Sequence, residues 1–219
     1  MKARTHFRKN LAALEWNRLR QYRNSNTKTK LVASANLATR FGTFRIHAFA
    51  DAGGSEHVAV VRGDVKGGER VPVRLHSECL TGDVLGSLKC DCGEQLEKAL
   101  SFISAQEKGV FVYLRQEGRG IGLANKIKAY ELQEKGYDTV EANEALGFPP
   151  DARDYSIAGK ILEALGVRSV ILLTNNPDKL AGMRMSGIKI EGRIPLLVKP
   201  NKYNGKYLRA KKRKLGHLL

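Results

Sequence analysis

Between residues 43 and 75 apolar side chains recur at every second position. TFRIHAFA (43–50) and HVAVVRGDV (57–65) read as strands joined by the hairpin signal DAGGSE. Val71, Val73 and Leu75 carry the alternation into RVPVRLHS, as in a half-buried strand. From Gly93 the period changes. Leu96, Ala99, Leu100 and Ile103 lie at i, i+3, i+4 and i+7, one apolar helix face that ends near Gly109. VFVYLR (110–115) is then a strand, QEGRGIG a turn, and 122–135 a helix stopped by Gly136. A further helix runs from Asp154 to Leu165 and is closed by Gly166. SVILLT (169–174) reads as a buried strand, NNPDK opens a short helix, and IKIEGRIPLLV is extended. This order predicts an α/β (α+β) fold, β-rich in its first half and alternating strand and helix in its second. No linker separates the halves, so one compact unit is expected.

Composition narrows the class. At 219 residues, with 42% hydrophobic and 27% charged residues, the chain suits an ordinary globular protein. It contains no apolar run near the roughly 20 residues that span a bilayer, and no secretory signal at its start. Three cysteines, an odd number, do not make a disulfide framework, so a reducing, cytoplasmic setting is expected.

The net charge of +16 is confined to the two ends. Residues 1–31 hold nine Lys/Arg against Glu15 alone, and residues 199–219 hold eight and no acid, leaving 21 bases and 21 acids in 32–198. The chain thus divides into a basic N-terminal extension (1–31), a neutral body (32–198) and a basic C-terminal tail (199–219). The tails read as solvated charge, with a grip on a polyanion such as RNA as the alternative. Phe7, Leu11 and Leu14 lie at helical spacing in the first segment, and NSNTKTK (24–30) reads as a linker. That Arg-rich, acid-poor segment has the composition of an organellar transit peptide, or is an amphipathic helix that docks on the body or on a second subunit.

Four stretches carry candidate chemistry. Cys79, Cys90 and Cys92 are the only cysteines, in a C-x10-C-x-C spacing. Two sulfurs two residues apart can reach one ion with a third from a neighbouring loop; three protein ligands on zinc leave a fourth position for water. Three inert buried thiols, or a structural site completed by His76, are the alternatives. QEGRGIGLANK follows a strand and opens a helix, so Gly118, Gly120 and Gly122 would let backbone N–H groups approach an anion while Arg119 grips phosphate. It is neither a P-loop nor a full dinucleotide fingerprint. TNNPDK offers a similar corner with Thr174 and Lys179, a plain strand-to-helix turn being the alternative for both corners. FPPDARDY is a stiffened loop carrying Asp151, Arg153 and Asp154, which by its residues alone reads first as a surface salt bridge with a helix cap at Asp154.

Taken together, RLHSECLTGDVLGSLKCDCGEQL, LRQEGRGIGLANKIKAYELQEKGYDTVEANEALGF, DARDYS and LLTNNPDKL resemble the GTP cyclohydrolase II family over residues 40–197, and the closing KLGHLL is similar to that family's C-terminus. The resemblance implies a zinc- and magnesium-dependent opening of the imidazole ring of GTP. Formate and pyrophosphate are released, and the product is 2,5-diamino-6-ribosylamino-4(3H)-pyrimidinone 5′-phosphate, at the first committed step of riboflavin synthesis. It implies Cys79, Cys90 and Cys92 as zinc ligands. GTP contacts would come from Arg74, Leu75, His76, Ser77, Glu78, Gln95, Glu117, Gly118, Arg119, Thr139, Thr174 and Lys179. Arg153 would be the nucleophile on the α-phosphorus, or an electrostatic stabiliser there, with Asp151 as its proton acceptor. Tyr130 would assist ring opening at C8. A homodimer is implied as well. The 219 residues leave no room for the dihydroxybutanone phosphate domain of the bifunctional relatives, and the basic leader is longer than a minimal family member needs. Two competing readings are a related enzyme that keeps the formyl group, disfavoured by Tyr130, and a basic RNA-binding protein with a structural zinc, disfavoured by the neutral body.

Overall fold

Seven strands form one mixed sheet in a computed structural model that describes residues 29–218. They are β1 (Lys30–Thr39), β2 (Gly42–Ala50), β3 (Glu56–Arg62), β4 (Val71–Ser77), β5 (Gly109–Leu114), β6 (Ser169–Leu173) and β7 (Lys189–Ile194), in the spatial order β1-β2-β3-β5-β4-β6-β7. β1, β2, β3 and β5 are successively antiparallel, and β5, β4, β6 and β7 are mutually parallel. The helices are α1 (Leu80–Asp83), α2 (Cys92–Ser104), α3 (Leu123–Glu134), α4 (Thr139–Ala145), α5 (Ser156–Ala164), α6 (Pro177–Met185) and α7 (Gly205–Leu215), with a 3-10 turn at Glu117–Gly120. The Phe7/Leu11/Leu14 helix expected in the leader lies outside the described residues.

The sheet is covered on both faces. Val73, Leu75, Val110, Val112, Leu114 and Leu172 pack with Ile161 and Leu162 of α5 and Met183 of α6. The odd-numbered partners on β5, Phe111 and Tyr113, face the other way, against Leu96, Ala99, Leu100 and Ile103 of α2. The α2 stripe read from the sequence is therefore the face that docks on the sheet.

Three local readings change. β4 is buried on both faces rather than half-buried, because it lies between two parallel neighbours; its polar alternates Arg74 and His76 are 4% and 2% exposed. β1 has no apolar alternation because it is an edge strand exposed along most of its length, and it begins at Lys30, where the linker reading ended. The basic stretch after residue 199 is not all solvated tail: it contains α7, whose Leu208, Ala210 and Lys211 are buried.

Candidate active site

β4, β5 and β6 are parallel and end side by side, and the segments that leave their C-terminal ends build one cleft. Open α/β sheets place ligands at this edge. The cleft holds about 1070 Å³, counting its open mouth.

Cys79 follows β4, while Cys90 and Cys92 sit at the entrance to α2, which packs back on the sheet. That return brings the three sulfurs within 4.8 Å of one another. Gly82 in α1 lies against them: a Cβ there would stand 2.7 Å from Cys90 Sγ and 3.2 Å from Cys79 Sγ. The pocket is therefore sized for sulfur and one small ion, which the donor set suits as a zinc seat. Without a cation the thiols compete. Cys90 and Cys92 donate to Cys79 and hold its pKa far below the usual thiol value, while the same contacts and burial push Cys90 up to about 11 and Cys92 well up. A divalent ion would remove that conflict by accepting all three as thiolates. His76 does not complete the cluster. Its Nε2 faces both carboxylate oxygens of Asp83 at 2.9 and 3.0 Å, and its ring stacks on Phe111 and Tyr113. Burial outweighs Asp83 and lowers its pKa, so the imidazole is neutral.

Around the thiols the cleft is lined by cations. Lys126 Nζ lies 3.2 Å from Cys79 Sγ, 2.9 Å from Thr81 Oγ1 and 2.8 Å from Glu117 Oε1. Burial opposes its charge, but Glu117 and then Cys79 prevail and raise its pKa. Tyr130 OH meets Thr81 Oγ1 at 3.3 Å, and burial raises its pKa, keeping the phenol protonated. Arg74 donates to Leu173 O at 2.9 Å and to Gln95 Oε1 at 2.5 Å, and burial pushes its pKa down to about 10. Lys179 donates to Leu75 O at 2.8 Å; burial and then the repulsion of Arg74 and Arg153 lower its pKa well below the usual lysine value. An anionic ligand would reverse that shift.

The glycine-rich turn and the FPPDARDY loop are tied together. Gly118 and Arg119 both adopt left-handed backbone, with φ of 62° and 61°, and for arginine that is strain of the kind concentrated at functional sites. Arg119 O accepts from Ala152 N at 3.0 Å, and Gln116 donates to Asp154 O at 2.7 Å. A Cβ on Gly120 would stand 2.9 Å from the Ala152 carbonyl, so this corner requires glycine. Asp151 grips Arg153 through Nε at 2.9 Å and NH2 at 2.5 Å. Burial disfavours the Arg153 charge, but Tyr155 and Asp151 outweigh it and hold the guanidinium protonated.

Of the residues to which the family resemblance assigns a role, all but two line this cleft, including Ser77, Glu78, Thr139 and Thr174, while Gly120, Gly122 and Asp154 line a neighbouring hollow. Leu75 is in the core and offers only its carbonyl, and Asp151 acts from behind Arg153. Sequence reasoning missed Lys126, Thr81, Tyr207, Lys211 and His217. Only the KLGHLL resemblance pointed toward the last.

The sequence profile described as GTP cyclohydrolase II matches residues 29–195, a range that contains every strand of the sheet. GTP cyclohydrolase-2 of Neisseria meningitidis serogroup A is 57% identical over 188 residues, covering 86% of this chain and 95% of that protein. The Neisseria gonorrhoeae protein of the same name has the same identity and coverage. Riboflavin biosynthesis protein RibBA of Bacillus subtilis is 57% identical over 202 residues, 91% of this chain but 51% of its own length. The chain thus spans about half of the RibBA relative and nearly all of the GTP cyclohydrolase-2 ones. On the extent of these matches, the chain belongs to the GTP cyclohydrolase II family.

Proposed function

We propose that this chain opens the imidazole ring of GTP, releasing formate and pyrophosphate and leaving 2,5-diamino-6-ribosylamino-4(3H)-pyrimidinone 5′-phosphate for riboflavin synthesis. The observation that carries the reading is the three-sulfur cluster in the same cleft as the buried cations Arg74 and Lys179 and the part-buried Arg153. A zinc ion held by Cys79, Cys90 and Cys92 would supply an activated water for attack at C8 of guanine. Tyr130, protonated and beside the sulfurs through Thr81, can give a proton to the ring nitrogen as the ring opens. Gln95, Arg74 and the Ser77–Glu78 segment would orient the nucleoside, and Thr139, Thr174 and Lys179 would hold its polar groups. Arg119 and the Glu117–Gly118 backbone would take the phosphates, with magnesium neutralising the rest of their charge. Arg153, kept charged by Asp151, suits stabilisation of the transferring phosphoryl group; attack by Arg153 itself would require Asp151 to take a proton first. A homodimer is the proposed assembly.

The test is to incubate zinc-loaded protein with GTP and magnesium and quantify formate, pyrophosphate and the pyrimidine. Equal yields of all three are expected. Pyrophosphate without formate would move the assignment to the relative that keeps the formyl group, and intact GTP would overturn it. The two ends of the reaction should also fail separately. Tyr130→Phe should slow formate release while sparing pyrophosphate. Arg153→Ala should slow pyrophosphate release by about 10²–10³; near wild-type release would remove both roles given to that arginine.

A further inference from the structure

We propose that the C-terminal helix α7 is a working wall of the cleft and that Lys211 is its positioning residue, fixing the Cys90–Asp91–Cys92 turn and, through Gln95, the guanidinium of Arg74. The proposal deepens the GTP reading above and rests on it. Helix α7 begins at Gly205, beyond the matched range that ends at residue 195. Its run of cations would stay solvated in a mere tail, and Arg209, Lys212, Arg213 and Lys214 are exposed. Lys211 is not: it is 8% exposed and lines the cleft. Burying an ammonium is unfavourable unless it is paired, and its partner is Asp91, 2% exposed, with Nζ–Oδ1 of 2.6 Å.

Asp91 occupies the N-cap position of α2 yet makes no side-chain cap bond. Its other oxygen accepts from Gln95 Nε2 at 2.6 Å, and Gln95 Oε1 accepts from Arg74 at 2.5 Å. A capping residue has been diverted to link α7 with a substrate-facing arginine, and both sequence neighbours of Asp91 are cysteines of the cluster. Moving that carboxylate displaces both sulfurs. The helix is braced twice more, by Lys214 on Asp138 and Glu141 at the start of α4, and by Leu218 N on Asn175 O at 2.8 Å behind β6. Beyond it His217 lines the cleft with Nε2 lacking a hydrogen-bond partner among the described residues.

The experiment compares wild type with Lys211→Met, Lys211→Arg and the exposed control Lys212→Met. It reads zinc release to a chromogenic chelator from the loaded protein, and kcat/KM for GTP. Partners that orient a metal-binding segment typically contribute about 10–100-fold, so Lys211→Met should release zinc at least about tenfold faster and lose at least about tenfold in kcat/KM. Lys211→Arg, which keeps the charge on Asp91, should recover most of both, and Lys212→Met should match wild type. If the lone carboxylate unfolds Lys211→Met, the neutral pair Asp91→Asn/Lys211→Met carries the same expectation without a buried charge. Wild-type zinc release and kcat/KM in a folded variant lacking Lys211 overturn the proposal. A wild-type chain that holds zinc but leaves GTP intact overturns the GTP reading instead, while zinc release still decides the role of Lys211.

Discussion

Gly82 is the residue on which the sulfur cluster depends without contributing an atom to it. A Cβ there would stand 2.7 Å from Cys90 Sγ and 2.9 Å from Cys92 Cβ, distances that real contacts do not reach. Its φ does not lie in the left-handed region, so the restriction is contact and not backbone strain. Gly82→Ala should therefore spread the sulfurs, at a cost typical of overpacking, about 1–3 kcal/mol. In a chelator competition, zinc affinity should fall by about 10–100-fold, since 1.4 kcal/mol corresponds to a factor of ten. Unchanged affinity in the alanine variant would mean that the metal does not sit among these thiols.

At the scale of elements, α4 shows how one short helix brings Thr139 to the cleft. It is seven residues long and too short to form by propensity alone. Asp138 caps it, accepting from Val140 N at 2.9 Å and Glu141 N at 3.0 Å, while Glu141 reaches back to Asp138 N. The same Asp138 carboxylate receives Lys214 of α7. The two roles separate by substitution. Asp138→Ala loses both and should cost about 1 kcal/mol in urea unfolding, the usual value of a cap. Asp138→Asn keeps the cap and loses only a part-exposed ion pair, worth about 0.2–1 kcal/mol at most. Equal losses in the two variants would assign the stability to the ion pair and not to the cap.

For the molecule as a whole, the concentration of cations on the cleft makes stability depend on pH. Burial, and then the repulsion of Lys211, Lys179, Arg153 and Arg119, pushes His217 down to about 3. It is neutral when folded, whereas in the unfolded chain it titrates near ~6.5. The unfolded state therefore binds the extra proton below that value, so the contribution is fully present above ~6.5 and declines as pH falls toward the folded value. His76, lowered mainly by burial, acts in the same direction. In Asp91 and Asp151 burial is outweighed by Lys211 and Arg153 respectively, so their lowered values add a loss only below about pH 4. The urea midpoint should fall steadily from pH 7 to pH 5, and His217→Gln should flatten that fall. A midpoint constant over this interval, or an unchanged slope in the variant, would contradict the placement of His217 among the cations.

What the sequence determined by itself is whatever burial prints locally. One-sided burial leaves a period of two or 3.6, and so β2, β3 and α2 were legible from their apolar positions, while α3 and α5 were legible from the glycines that stop them, Gly136 and Gly166. The spacing of Cys79, Cys90 and Cys92 and the glycine corner around Arg119 were legible too, because each packs its chemistry into a few consecutive residues. The tertiary structure alone decided the rest. β1 is exposed on a sheet edge, where no pattern is imposed. Arg74 and His76 read as the wet side of a strand because their true surroundings, α2 and the cleft, come from elsewhere in the chain. Lys211 read as one charge among many because its partner Asp91 is 120 residues away. A long-range ion pair leaves no local periodicity, so a buried, paired lysine and a solvated one are written with the same letter.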